Sequence, residues 1–221
     1  MENKIHVVIP TRNRLKKLER ALKTIPNFIM GDIPVQIHIV CDGDKQTALH
    51  FGNNGKGIKV LLIPGHNGAV KCRNYALESI TSGHVVYATD DIVFRKNAIE
   101  NAYRALMNRF PDSDGVIGFH QEGNAYHPTG MGLVGEKFLK RYENNHLFNP
   151  KYFHFACQEI HWLADKHGKY YLEKNAVIYH YHPQHHREEM DKAHNEARIY
   201  RKKDHDLIKD RLAKGLIWGD N

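Results

Sequence analysis

Short apolar runs rich in β-branched residues recur through the first half of the chain, and each stops at polar residues. Ile5-His6-Val7-Val8-Ile9 runs into Pro10-Thr11-Arg12-Asn13, and Val35 to Cys41 runs into Asp42-Gly43-Asp44. Ile58 to Ile63 ends at Pro64-Gly65, and Val85-Val86-Tyr87 leads through Ala88-Thr89 to Asp90-Asp91, where apolar character resumes at Ile92. Runs of this length and composition are buried strands. Leu15, Leu18, Leu22 and Ile25 recur at helical spacing, with Lys16, Lys17, Arg20 and Lys23 on the wet face. Residues 69–80 predict a further helix with Lys71, Arg73 and Asn74 near its start. Strands alternating with helices predict an α/β fold built on a mostly parallel, Rossmann-like sheet flanked by helices.

The pattern changes in the second half. A helix is expected over 98–110, a strand over 115–119 and a strand over 130–134, with a His-, Gly- and Pro-rich loop between the two strands. A helix over 153–166 follows, then separate strands at 170–172 and 176–179, and a highly charged helix over 187–213. The change of pattern near residue 115 divides one domain, 1–221, into halves 1–114 and 115–221.

Among the 221 residues, 41% are hydrophobic and 26% charged, which is ordinary for a soluble globular domain. The first apolar run is too short for a signal peptide and no later run approaches a membrane span, so a cytoplasmic protein is expected. Cys41, Cys72 and Cys157 match no zinc spacing and suit a reducing compartment. The net charge of +7 is concentrated, because residues 1–110 alone carry 16 Lys and Arg against 9 Asp and Glu. A basic field there favours a polyanionic ligand, a nucleotide diphosphate or nucleic acid. Of the seventeen histidines, one or two are expected to be ligands and the rest surface or packing residues.

Asp90 and Asp91 carry the most chemistry. In open α/β sheets ligands bind beyond the carboxyl ends of the strands. Adjacent carboxylates there repel each other unless a cation neutralises them. Mg2+ or Mn2+ suits such a site, using one or two carboxylates together with substrate phosphates. The plainer reading is a strand-end turn with solvated acids. Thr11 and Asp42 stand at two further strand ends that should open on the same edge of the sheet.

Val-Ile-Pro-Thr-Arg-Asn-Arg at 8–14, Val-Cys-Asp-Gly-Asp at 40–44, Asn-Gly-Ala-Val-Lys-Cys-Arg-Asn at 67–74 and Tyr-Ala-Thr-Asp-Asp at 87–91 resemble the family 2 glycosyltransferases, which have the GT-A fold. The resemblance covers about the first 110 residues well and the rest loosely. It implies a metal-dependent, inverting transfer of a sugar from a nucleotide diphosphate donor, UDP-linked in expectation, to an acceptor hydroxyl. Residues 1–114 would then bind the nucleotide-sugar and 115–221 form the acceptor side. Pro10, Thr11, Arg12, Asp42, Arg73 and Asp90 are implied to hold the nucleotide, with Asp42 accepting from the base. Asp91 and His180, or His182 in its place, are implied to bind Mn2+ or Mg2+. Ala88 stands where the family often has a first acid. Glu159 is implied as the catalytic base, in Cys157-Gln158-Glu159-Ile160 without the family's usual Glu-Asp pair, and Glu122, Asp165 and His182 stand next in line. The acceptor is a glycan, a lipid-linked sugar or modified nucleic acid. Competing expectations are a glycosyltransferase acting on nucleic-acid bases and a non-catalytic binding protein for sugar-nucleotides or nucleic acid.

Overall fold

Four parallel strands form the first half of the sheet in the computed structural model, which describes residues 4–52, 57–123, 130–183 and 187–220. β1 (Ile5–Thr11) lies between β3 (Ile33–Asp42) and β5 (His84–Tyr87), and β4 (Ile58–Ile63) pairs with the outer side of β3. A two-residue strand, β2 (Phe28–Ile29), runs antiparallel to the start of β3. Beyond β5 the sheet turns mixed. β8 (Gly132–Val134) pairs antiparallel with both β5 and β7 (Val116–Gln121), and β7 runs parallel to β9 (Tyr170–His180). The antiparallel pairing of β6 (Ile92–Phe94) with β9 ends the series.

The apolar stretch around the two acids is therefore two strands with different partners. The Ala88 N–H makes a final bond to the Val8 carbonyl, and β6 starts beside β9, so Asp90 and Asp91 occupy the jump between them. The strands expected at 170–172 and 176–179 are instead one strand, β9. A bulge beside Phe119 and His120 absorbs the exposed Lys174-Asn175. The turn expected at 52–57 and the loop expected at 120–130 include residues 53–56 and 124–129, which lie outside the described residues.

Helices cover both faces because alternate strand residues point to opposite sides. Ile5, Val7 and Ile9 pack with α1 (Leu15–Leu22) and α4 (Ala98–Arg109) through Leu18, Ile99 and Leu106. Val8, Val85 and Tyr87 pack with α3 (Gly68–Leu77) and α6 (Cys157–Lys166) through Val70, Leu77, Ile160 and Leu163. α2 (Lys45–Gly52) carries no long apolar stripe and is started by the Asp44 carboxylate, which accepts from the Thr47 N–H at 3.0 Å. A short α5 (Glu136–Leu139) follows β8. The C-terminal α7 (Lys192–Ala213) begins later than its charge pattern suggests, because Asp191 caps it. No described helix is long and apolar enough to cross a membrane.

At the amino-terminal edge of the sheet, His6 and His38 are buried side by side, Nδ1 to Nε2 at 2.8 Å. The His6 Nε2–H donates to the Ser82 carbonyl, so His6 Nδ1 is the acceptor and His38 the donor. Burial, with Lys4 adding, lowers the His6 pKa to about 4, and burial beside His6 lowers that of His38 to about 3. In the unfolded chain both take up protons near pH 6.5. This contribution to stability is complete above that pH and is lost as pH falls toward 4 and then 3. Urea midpoints should therefore decline below pH 6.5, and His38→Gln should flatten that decline. An unchanged slope in the variant would show that the pair is not responsible.

Candidate active site

The carboxyl ends of β1, β3 and β5 open into a cavity of about 590 Å³ lined by Pro10, Thr11, Asp42, Arg73, Asp90 and Asp91, among others. A more open depression of about 820 Å³ between Glu78, Lys140 and Glu143 holds none of these groups.

Asp90 and Asp91 are each only 3% exposed. Asp90 accepts from Thr11 Oγ1 at 2.8 Å and from Arg14 Nη1 at 3.0 Å, and the same Arg14 nitrogen stands 3.7 Å from Asp91 Oδ2. Burial pushes the Asp90 carboxyl pKa up, against the pull of Arg14, with the neighbouring Asp91 adding to the rise. Burial acts the same way on Asp91, but the close imidazoles of His180 and His194, with the Arg14 charge, outweigh it and hold that carboxyl well below the usual range. Asp91 is the acid kept ionised, as a metal ligand must be.

Strand pairing explains the place of His180. Ile92 is registered opposite His180 and the Tyr181 N–H donates to the Asp91 carbonyl, which brings His180 Nε2 to 3.2 Å from Asp91 Oδ1. His182 packs its ring against those of His180 and His194. Among the described residues no three His, Cys, Asp or Glu side chains already form a cation cage. A carboxylate flanked by imidazole nitrogens still fits Mn2+, and fits Mg2+ less well, provided a diphosphate completes the shell. The buried His194 Nε2, which has no hydrogen-bond partner and faces the same carboxylate, supports that fit.

Asp42 is drawn partly into structure. Its Oδ1 accepts from the backbone N–H and side-chain amide of Asn67, and its Oδ2 accepts from the Gly68 N–H at 3.0 Å. A carboxylate has about four acceptor positions, so roughly one is left to face the cavity. Gly68 is required at this turn: its φ is +83°, and a Cβ would lie 2.4 Å from the Phe153 carbonyl oxygen. Arg12 donates from Nη1 to the Asp42 carbonyl and from Nε to Glu196.

Arg73 is 6% exposed and makes no ion pair among the described residues. It donates to the Ala88 carbonyl at 3.0 Å, and its Nε has no partner. Burial lowers its pKa. A buried guanidinium without a carboxylate beside it is a ready receptor for an anion.

Glu159 does not fit the role of base. It is 1% exposed and outside the cavity lining. Its Oε1 accepts from Tyr152, Asn149 and Arg211 Nε, and its Oε2 accepts from Arg211 Nη2 and the Trp218 N–H. A carboxylate surrounded by five donors has no position for an acceptor hydroxyl; it ties α6 to the C-terminus. Glu122 pairs with Arg95 and also lies outside the lining.

His154 lines the cavity instead. Its ring makes no hydrogen bond among the described residues, and burial, helped by the Arg73 charge, lowers its pKa to about 4. The loop that carries it is anchored by Asp204, which is buried on α7 and accepts from the N–H groups of Phe153, His154 and Phe155. Those bonds also explain why α6 starts at Cys157 and not at 153. The basic face of α1 is partly neutralised: Arg14, just before the helix, and Lys17 pair with Asp191, Lys17 and Arg20 with Glu188. Arg14, His154 and His194 have no strong local signal in the sequence. The nearest hints are Arg14 within Thr-Arg-Asn-Arg, the place of His154 just before a helix, and the i,i+3 pair Asp191 and His194.

Residues 6–163 match the family described as glycosyl transferase family 2. No curated protein matches the sequence. Among solved structures, S. aureus TarS (residues 1–349) is similar with a TM-score of 0.60 at 18% identity, over 80% of this chain and 60% of that one. The mannosyltransferase PcManGT from Pyrobaculum calidifontis, in complex with GDP-Man and Mn2+, is similar with a TM-score of 0.62 at 14% identity, over 81% of this chain and 57% of that one. TarS 1–349 in complex with UDP-GlcNAc gives 0.62 at 18% identity, over 80% and 58%. The chain thus spans somewhat under two thirds of these proteins, and at such identities the likeness is one of fold, the mixed α/β GT-A arrangement. With the family match running through 6–163 of 221 residues, the chain belongs to glycosyl transferase family 2.

Proposed function

We propose that this chain transfers a sugar from a nucleoside diphosphate donor to an acceptor hydroxyl, with inversion at the anomeric carbon. The observation that carries the reading is one cavity holding a buried acid pair and a buried, unpaired Arg73. The resemblance to glycosyltransferase structures bound to UDP-GlcNAc and to GDP-Man with Mn2+ supports it. Residues 1–114 would supply the donor side and 115–221 the acceptor side, a glycan, lipid-linked sugar or modified nucleic acid. The pairing of Lys17 and Arg20 on α1 with Glu188 and Asp191 weakens the nucleic-acid reading. Three cysteines, none of them in a disulfide, suit a cytoplasmic setting.

Asp91 and His180 would hold Mn2+ or Mg2+, which when bound stabilises the charge of the departing diphosphate. Arg73 places a fixed positive charge toward the same anion. Thr11 holds Asp90 for the ribose, and Pro10 and Arg12 border the nucleotide. The open acceptor position of Asp42 suits the ring N–H of uracil, which favours a UDP-sugar. His154, neutral and unpartnered, is placed to take the proton from the attacking hydroxyl. The negative diphosphate would offset Arg73 and raise its basicity toward the working range.

Incubation with UDP- and GDP-sugars and Mn2+ should release nucleoside diphosphate by slow transfer to water, faster from the UDP-sugar. His154→Gln should lower that rate by about 100-fold without weakening UDP binding. A wild-type protein that binds UDP with Mn2+ yet releases no nucleotide from any donor, with or without the acceptor classes named above, would be a binding module.

A further inference from the structure

α7 lays one face along the rim of the cavity. His194, Arg198, Arg201 and His205 stand at i, i+4, i+7 and i+11 and share that face; the first three line the cavity. Arg198 and Arg201 are exposed, so they stand at the cavity mouth and not in its depth. The acids of the helix are engaged elsewhere. Glu196 pairs with Arg12, Asp204 accepts from the backbone at 153–155, Asp206 pairs with Lys202 and Asp210 with Lys214. Arg198 has no ion pair among the described residues. The Arg201 guanidinium lies over the Phe155 ring, 5.9 Å from its centroid, and the His205 ring stands 5.5 Å from the same ring. Phe155 directly follows His154, so the basic face leads from the cavity past His154 to the outside.

We propose that Arg198 and Arg201 form the subsite for an anionic acceptor, a saccharide that carries phosphate or carboxylate groups close to the hydroxyl receiving the sugar. This rests on the transferase reading above and narrows its acceptor. The diphosphate of the donor is assigned to the buried Arg73, deep in the same cavity. Two exposed guanidiniums at the mouth meet whatever projects from the cavity, and that is the acceptor. Three residues of helix separate Arg198 from Arg201 by about 4.5 Å along the axis, close enough for both to hold one anionic group or two neighbouring ones. Guanidinium forks match the paired oxygens of carboxylate and phosphate alike. Single-stranded nucleic acid fits less well, because it is held on open aromatic faces. Here Phe153 is stacked on Tyr200 at 3.6 Å, and Phe155 is met by Arg201 and His205.

The test is calorimetric titration of the full chain, saturated with UDP and Mn2+, with dextran phosphate, carboxymethyl dextran, unmodified dextran and oligothymidylate. The proteins compared are wild type, the Arg198→Gln, Arg201→Gln double variant, and Lys203→Gln as a control on the far side of the helix. Wild type should bind a charged dextran, more weakly as salt is added, and leave unmodified dextran unbound. The double substitution should weaken that binding by about 10-fold or more and keep UDP affinity and melting temperature near wild type, while Lys203→Gln changes neither. Whichever charged dextran binds more tightly identifies the group as phosphate or carboxylate. The acceptor assignment is overturned if wild type binds neither charged dextran, if unmodified dextran binds as tightly, or if the double variant keeps wild-type affinity. It is overturned equally if oligothymidylate binds more tightly than both and is lost in the double variant, or if that variant loses UDP, which would put the arginines in the donor site. A wild-type protein that releases no nucleotide from any donor fails the transferase reading separately, and the acceptor assignment then falls even where charged dextran binds.

Discussion

Replacing Glu159 by Ala should lower the melting temperature by about 10 °C and leave the UDP affinity of the folded protein unchanged. The carboxylate is buried and receives five hydrogen bonds, two of them from Arg211, whose side chain is 11% exposed. Removing one member of a buried ion pair leaves the other charge uncompensated and costs about 3–5 kcal/mol. In a domain of this size each kcal/mol moves the midpoint by roughly 2–4 °C. The Trp218 N–H and the Tyr152 hydroxyl lose their acceptor in the same step. Calorimetry decides the matter. A midpoint within about 2 °C of wild type would mean that the network contributes little, and a selective loss of turnover in a stable variant would return Glu159 to the chemistry.

Asp91→Asn should abolish the Mn2+-dependent part of UDP binding, a loss of about 100-fold or roughly 2.8 kcal/mol, and leave metal-free binding nearly unchanged. An amide keeps the shape of the side chain but cannot supply the charge that a hard cation needs. Because a cation held by a carboxylate and an imidazole needs both without their protons, the wild-type effect should be strongest near pH 8 and weaken on acidification. Isothermal titration with and without Mn2+ measures it directly. Equal enhancement by Mn2+ in both proteins would move the cation away from Asp91.

Much of the first half of the chain was legible from pattern alone. The β1, β3, β4 and β5 runs are continuous and β-branched, each followed by turn chemistry, and parallel strands of that kind have few other ways to bury both faces. The gathering of Thr11, Asp42 and Asp90 at one sheet edge follows from topology, since parallel strands present their carboxyl ends together. The second half was harder to read. β9 runs through Glu173-Lys174-Asn175 on the strength of its partner β7, and α6 loses its first turn to Asp204, some fifty residues away. Local propensity carries no trace of either effect.

The division for the site has the same cause. Its acids and Arg73 were marked by the sequence, because a charge at the end of a buried run is conspicuous against its neighbours. Which acid is held ionised, and what each remaining group faces, was decided only in three dimensions. An acid in the first turn of α6 is an unremarkable local pattern, and Arg211 and Trp218, more than fifty residues on, turn Glu159 into an internal tie. His154 and His194 are two among seventeen histidines, separable from the rest only by what their rings face. Hydrophobic period is a property of neighbours along the chain, so the sequence by itself determined the sheet and the edge where its charges meet. Hydrogen-bond partners and local dielectric belong to neighbours in space, so tertiary structure alone decided the surroundings of those groups.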